Sequence, residues 1–201
     1  MQEEKIEWGK EIVQAGSDIA GIPGIGLIAK FAQQFYDKHL QKRFQKFISD
    51  AEVDMERIEK ILKDETYSNC FYATLEAVRQ THSNKVGVVA LALIYKDHWN
   101  DEPYLIAAMR AFSQISDRTI DAFISLYESI PDDKNYLHLG IQKDDGGHFH
   151  EWYNEAVELI GRNFFVTSTG ASMHANGPVQ GMKWDHTDSY YGYCKAARDR
   201  V

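Results

Sequence analysis

The stretch VGVVALALIY, from Val86 to Tyr95, carries no charge and has no polar side. On a 3.6-residue period its apolar side chains point nearly all round. It falls well short of the roughly 20 residues that a spanning helix needs. A helix with this composition has to be enclosed by other elements, so it predicts a central buried helix. The chain is therefore expected to be mainly α, with amphipathic helices turning one face each toward that centre.

The rest of residues 1–130 supplies such helices. Residues 2–15 place Ile6, Ile12 and Val13 among charges, and GSDIAGIPG then interrupts them. Pro23 suits a first helical turn, and the helix after it is expected to run to Ser49. Asp50 is the expected cap of the next helix, which should bury Val53, Ile58, Ile61 and Leu62. Helices over 65–81 and 84–96 follow. DEPYLIAAMRAFSQ and SDRTIDAFISLYESI give two more, with Asp101 and Ser116 as caps. Past Ile130 the texture changes. PDDKNYLHLGIQKDDGG reads as loop, and HFHEWYNEAVELIGRN as a helix closed by Gly161. FFVTST and VQGMKWDH read as two short strands around GASMHANGP, and Thr187 as the cap of a last helix.

The order of elements over 101–199 resembles a winged helix in pattern, without a diagnostic motif. The whole chain, with its IPGIGL…F…LQKRFQKF segment, buried middle helix and winged-helix-like tail, resembles bacterial helical proteins of unknown function linked with prophages or anti-phage defence. That resemblance implies a setting and no catalytic residues. The expected fold is thus an N-terminal helical bundle over 1–100 and a small winged-helix-like α+β part over 101–201, packed on it.

Composition narrows the class of function. Hydrophobic residues make up 44% of 201, enough for a real core. The two cysteines, Cys70 and Cys194, form no metal or redox spacing, the pattern of a reduced, intracellular protein. The charged opening MQEEKIEWGKEIVQ lacks the features of a secretory signal. A bacterial cytoplasm is the expected compartment. The net charge is −8, and the only local basic excess is Lys30, Lys38, Lys42, Arg43 and Lys46 against Asp37.

AGIPGIGLIAKF, Ala20 to Phe31, is apolar and glycine-rich near the start of a charged chain. On the helix after Pro23, Leu27, Phe31 and Phe35 share one side, while Leu40, Phe44 and Phe47 fall on another. Lys38, Lys42 and Lys46 continue the first stripe. Three arrangements satisfy this switch: a bend or two packing layers in a buried helix, an oligomer interface, or peripheral membrane contact with the lysines over lipid headgroups. The glycines are no phosphate loop, because Leu27 follows Gly26 where GxxxxGK[ST] needs Lys.

Signs of chemistry are sparse. His148 and His150 in GGHFHEW are outside candidates for metal ligands, with His174, His186, Asp185 and Glu151 as supplements. An HxH pair is a weak signal, since positions two apart diverge on a helix. There is no HExxH, CxxC or GxSxG. No cofactor is expected.

Within the winged-helix resemblance, the reading helix would be HFHEWYNEAVELIGRN. It carries Glu151, Glu155 and Glu158 against Arg162 alone, and the wing loop has no Lys or Arg. Phosphates flank the groove that a recognition helix enters, so this charge argues against nucleic acid. Trp152, Tyr153, Trp184 and Tyr191 are the expected anchors of a protein contact instead. The expected function is a non-enzymatic interaction protein, acting through a homo-oligomer or a protein partner. The competing readings are a membrane-acting effector using 19–47, and a metal-dependent enzyme using His148 and His150.

Overall fold

The structure, a computed structural model, describes residues 38–83, 85–138, 151–167 and 180–201. The helices expected before residue 38 lie outside the described residues. The chain is mainly helical with a small antiparallel sheet. It divides into two compact units, the first ending at Gln114 and the second beginning at Ile115. The boundary expected at residue 100 lies inside the first unit. The helix Glu102–Phe112 falls in the first unit because it packs on the two helices before it.

In the first unit the described helices are α1 (Lys38–Asp50), α2 (Met55–Lys63), α3 (Glu65–Gln80), α4 (Val86–His98) and α5 (Glu102–Phe112). Every residue from Val86 to Tyr95 is buried, and α4 packs on α1, α3 and α5. Helix α1 contributes Phe44 and Phe47, both buried. The Phe47 ring meets Tyr95 edge-on at 5.6 Å, and Phe71 of α3 lies 5.8 Å from Tyr95. Each such buried ring stabilises the fold by roughly 1.5–3 kcal/mol.

The start of α4 lies in the interior, so its first N–H groups need internal acceptors. Ser83 supplies one: its Oγ accepts from the Gly87 N–H at 2.5 Å. Thr81 Oγ1 in turn accepts from the Ser83 N–H, and the Thr81 carbonyl accepts from Arg43 of α1 at 2.8 Å. This close approach requires glycine at 87, since a Cβ there would stand 2.6 Å from Ser83 Cβ.

Two helix ends differ from expectation. Asp50 does not cap α2; it closes α1. The chain then turns through Glu52 at φ 50°, with the Val53 N–H reaching back to the Ile48 carbonyl. Asp54 adopts the extended conformation a cap requires and accepts from the Arg57 N–H at 2.9 Å. Leu62 is 37% exposed, because α2 buries only Ile58 and Ile61. Asp64 ends α2 and caps α3 at once: its N–H reaches Lys60 O, and its carboxylate accepts from Thr66 N and Tyr67 N. Asp101 caps as expected, accepting from the Tyr104 N–H.

In the second unit, α6 (Asp117–Glu128) is capped by Ser116, again as expected. Then come β1 (Tyr136–His138), α7 (Tyr153–Gly161), β2 (Val166–Thr167), β3 (Gln180–Met182) and α8 (Thr187–Asp199). The sheet order is β1-β3-β2, all antiparallel. The two expected strands are β2 and β3, with Val166 opposite Met182. Strand β1 lies in a stretch expected to be loop; it forms by pairing Tyr136 with Met182 and Leu137 with Gly181. Helix α7 begins at Tyr153, and its terminator is Asn163 rather than Gly161. Asn163 takes φ 62°, and the Phe164 N–H bonds Leu159 O at 2.9 Å, burying both side chains. Thr187 is not a cap either. Its buried hydroxyl donates to Phe164 O at 2.7 Å and accepts from the Trp184 N–H.

The glycines make a paired test. Gly87→Ala is expected to lower stability by about 1–2 kcal/mol, overpacking outweighing helix propensity. Gly192→Ala on α8, with open space around it, is expected to raise stability by up to about 1 kcal/mol. Urea unfolding of both variants measures the difference; a neutral Gly87→Ala contradicts the tight cap.

Candidate interaction surface

Helix α7 is pinned to α6 by its acidic side. Arg118 of α6 donates through Nε to Glu155 at 2.5 Å, and its guanidinium lies 5.4 Å from the Trp152 ring centre. Thr119 Oγ1 donates to Glu158 at 3.1 Å, and Arg162 donates to the other Glu158 oxygen at 2.7 Å. The Arg118 hydrogen bond holds the Glu155 carboxyl below its usual range. Arg162 is thus not the only cation opposing these glutamates. Both arginines are committed inside the unit, and Glu151 is exposed.

Ala156 and Leu159 face the core. Tyr153, Val157 and Ile160 follow one another at helical spacing on the adjoining side. Val157 is 46% exposed, with Tyr153 and Ile160 half-buried. Trp184, between β3 and α8, is 49% exposed. With the terminal Val201, Val157 and Trp184 are the exposed large apolar side chains of this unit among the described residues.

Tyr191 has a different place. Its ring stacks on Tyr127 at 3.9 Å and 10°, and Lys183 Nζ lies 4.0 Å from the Tyr127 ring centre. Tyr127 donates to Asp188 at 2.7 Å, Tyr191 donates to Glu128 at 2.9 Å, and Lys195 donates to the same Glu128 oxygen. Tyr191 therefore joins α6 to α8. The expected anchor set separates: Trp184 stands most open, Tyr153 and Trp152 are half-buried, and Tyr191 is engaged internally. Sequence reasoning missed Val157, Arg118 and Tyr127. An isolated valine carries no signal by type; only its helical position beside Tyr153 marks it.

On α1, Lys42 is exposed and Lys46 lies 3.2 Å from Asp50. Lys38 opens α1, and Leu40, Phe44 and Phe47 are core. Leu27, Phe31 and Phe35 lie outside the described residues. His148, His150 and His174 lie outside them too. Among the described residues no three His, Cys, Asp or Glu side chains converge to hold a metal ion. No helix there is long and apolar enough to cross a membrane. Both cysteines are buried, and burial, followed by nearby Glu102 and Asp101, pushes the Cys70 thiol up to about 11.

Comparison with protein-family models, curated proteins and solved structures gives no match for the chain.

The Tyr127 phenol, ordinarily titrating near 10, is pushed up to about 12, first by burial and then by its bond to Asp188. A folded-state value above the unfolded one means stability that is complete below pH 10 and lost as pH rises toward 12. Tyr127→Phe is expected to cost about 1 kcal/mol near neutral pH. That cost should shrink between pH 10 and 12. Urea unfolding across this range measures it, and a pH-independent difference contradicts the assignment.

Proposed function

We propose that this chain is a non-enzymatic interaction protein, self-associating or binding a protein partner, in the prophage or anti-phage setting its sequence resemblance implies. A helical bundle carries a winged-helix-like unit that contacts protein rather than nucleic acid. The order α6, β1, α7, β2, β3 with an antiparallel β1-β3-β2 sheet supports the winged-helix reading.

The carrying observation is the outward side of α7. It offers Val157 between Tyr153 and Ile160, while the nearby Arg118 and Arg162 are bonded to Glu155 and Glu158. From Ile115 onward the sequence holds 8 basic and 13 acidic side chains. Affinity for duplex DNA grows with the number of phosphates neutralised. A helix whose neighbouring arginines are committed, in an acidic unit, has little to offer them. Exposed Val157 and the half-exposed Trp184 each suit an anchor of a protein contact.

Two measurements test this. In a mobility-shift titration with mixed-sequence duplex near physiological salt, micromolar full-length chain is expected to give no shift. Salt-sensitive binding weakened by Arg162→Ala or Lys183→Ala overturns the reading. A photo-crosslinking residue at Val157 or Trp184 is expected to give protein adducts in the native host. The same residue at the exposed Ser125 is expected to give none. Equal adducts at all three positions count against this face.

A further inference from the structure

A groove of about 280 Å³ runs between α3 and α5 on the first unit. Ala73 and Ala77, one turn apart on α3, are too short to fill the space toward Ile106 and Met109 of α5. Glu76 and Arg110 stand on opposite rims. The Ser113 hydroxyl donates to Gln80 across the groove at 2.6 Å, tying its C-terminal end. The two rims differ in their commitments. Glu76 accepts from Arg79, at 2.7 Å through Nε, and from Gln80. Arg110 is exposed and has no carboxylate in ion-pair reach among the described residues.

The same unit carries a matching outward stripe. On α2, Met55 is 42% exposed and Leu62 is 37% exposed. Glu59 stands between them at helical spacing. Seven residues separate Met55 from Leu62, about 10 Å along a helix. Seven also separate Ala73 from Gln80 and Ile106 from Ser113. The charges fall in register: Glu59 is four residues past Met55, and Arg110 is four past Ile106. Among the described residues Glu59 pairs with Lys63 alone, at 3.1 Å, with both side chains more than half exposed. Such a pair contributes little and exchanges readily.

We propose that the α3–α5 groove of one copy receives the α2 stripe of a second copy, with Met55 and Leu62 on the apolar floor and Glu59 against Arg110. This rests on the self-associating form of the function proposed above and assigns its contact. Groove and stripe occur once in every copy, so the contact either closes as a two-fold pair or continues head to tail. An open groove suits a helix laid over it better than a small ligand, whose sites enclose most of its surface.

Sedimentation velocity of the full-length chain across micromolar concentrations tests the contact by charge reversal. The unaltered chain is expected to show concentration-dependent dimers or larger species. Arg110→Glu and Glu59→Arg are each expected to weaken association about ten-fold or more, a change of about 1.4 kcal/mol. The double variant is expected to recover it, and the two single variants are expected to associate when mixed. Circular dichroism melting verifies that each variant folds. A chain monomeric at every concentration overturns the proposal. So does association that neither single reversal weakens, or that the double fails to restore. The crosslinking and mobility-shift measurements on the second unit are independent of this result, so the contact can fail while the interaction reading stands.

Discussion

Burial of a helix with no polar side is the constraint on which the first unit depends. An amphipathic helix is satisfied by one neighbour; α4 is not, and α1, α3 and α5 cover it. Enclosure then creates a second problem, because the helix start is taken from water together with its sides. The Arg43–Thr81–Ser83–Gly87 relay answers it by passing hydrogen bonds from α1 to the first turn of α4. An orphaned buried N–H costs about 1–3 kcal/mol. Thr81 and Ser83 are thus tied to the helix start by side-chain hydrogen bonds.

The second unit is held differently. Phe123 meets Phe164 at 4.8 Å and Phe165 at 5.4 Å in the interior, but its helices are also joined at the surface by polar aromatic contacts. The Tyr127–Tyr191 stack, with Lys183 beyond it and Asp188 and Glu128 as acceptors, gives α6 and α8 a fixed register. Arg118 does the same for α6 and α7 through Glu155 and Trp152. With the glutamates of α7 used this way, Val157 and Asn154 are the exposed side chains left on that helix.

What could be read in the sequence was local. The α4 run, the Asp101 and Ser116 caps and the two strands after α7 each depend on residues within a few positions. The misreadings share the opposite property. Strand β1 exists because β3 pairs with it, and YLH alone carries no strand signal. Thr187 sits where a cap belongs, but Phe164 claims its hydroxyl from a distant part of the chain. Tyr191 and Trp184 are the same kind of residue by composition, and only the partner on α6 separates an internal staple from an exposed ring. The α3–α5 groove was invisible for a related reason: two alanines look like ordinary helix formers until the facing helix is known.

Asp64 serves as the last residue of one helix and the first support of the next, with no loop between. Its backbone N–H and its carboxylate are committed to opposite sides of a single corner. A corner of this kind has no slack residue to absorb rotation, so α2 and α3 behave as one bent rod. An inserted residue there would not lengthen a loop; it would re-aim everything α2 presents outward relative to α3. The angle between those two surfaces is therefore inherited as a unit, set by this aspartate together with the packing of α2 on α3 and the bond from the Ser68 hydroxyl to the Ile61 carbonyl.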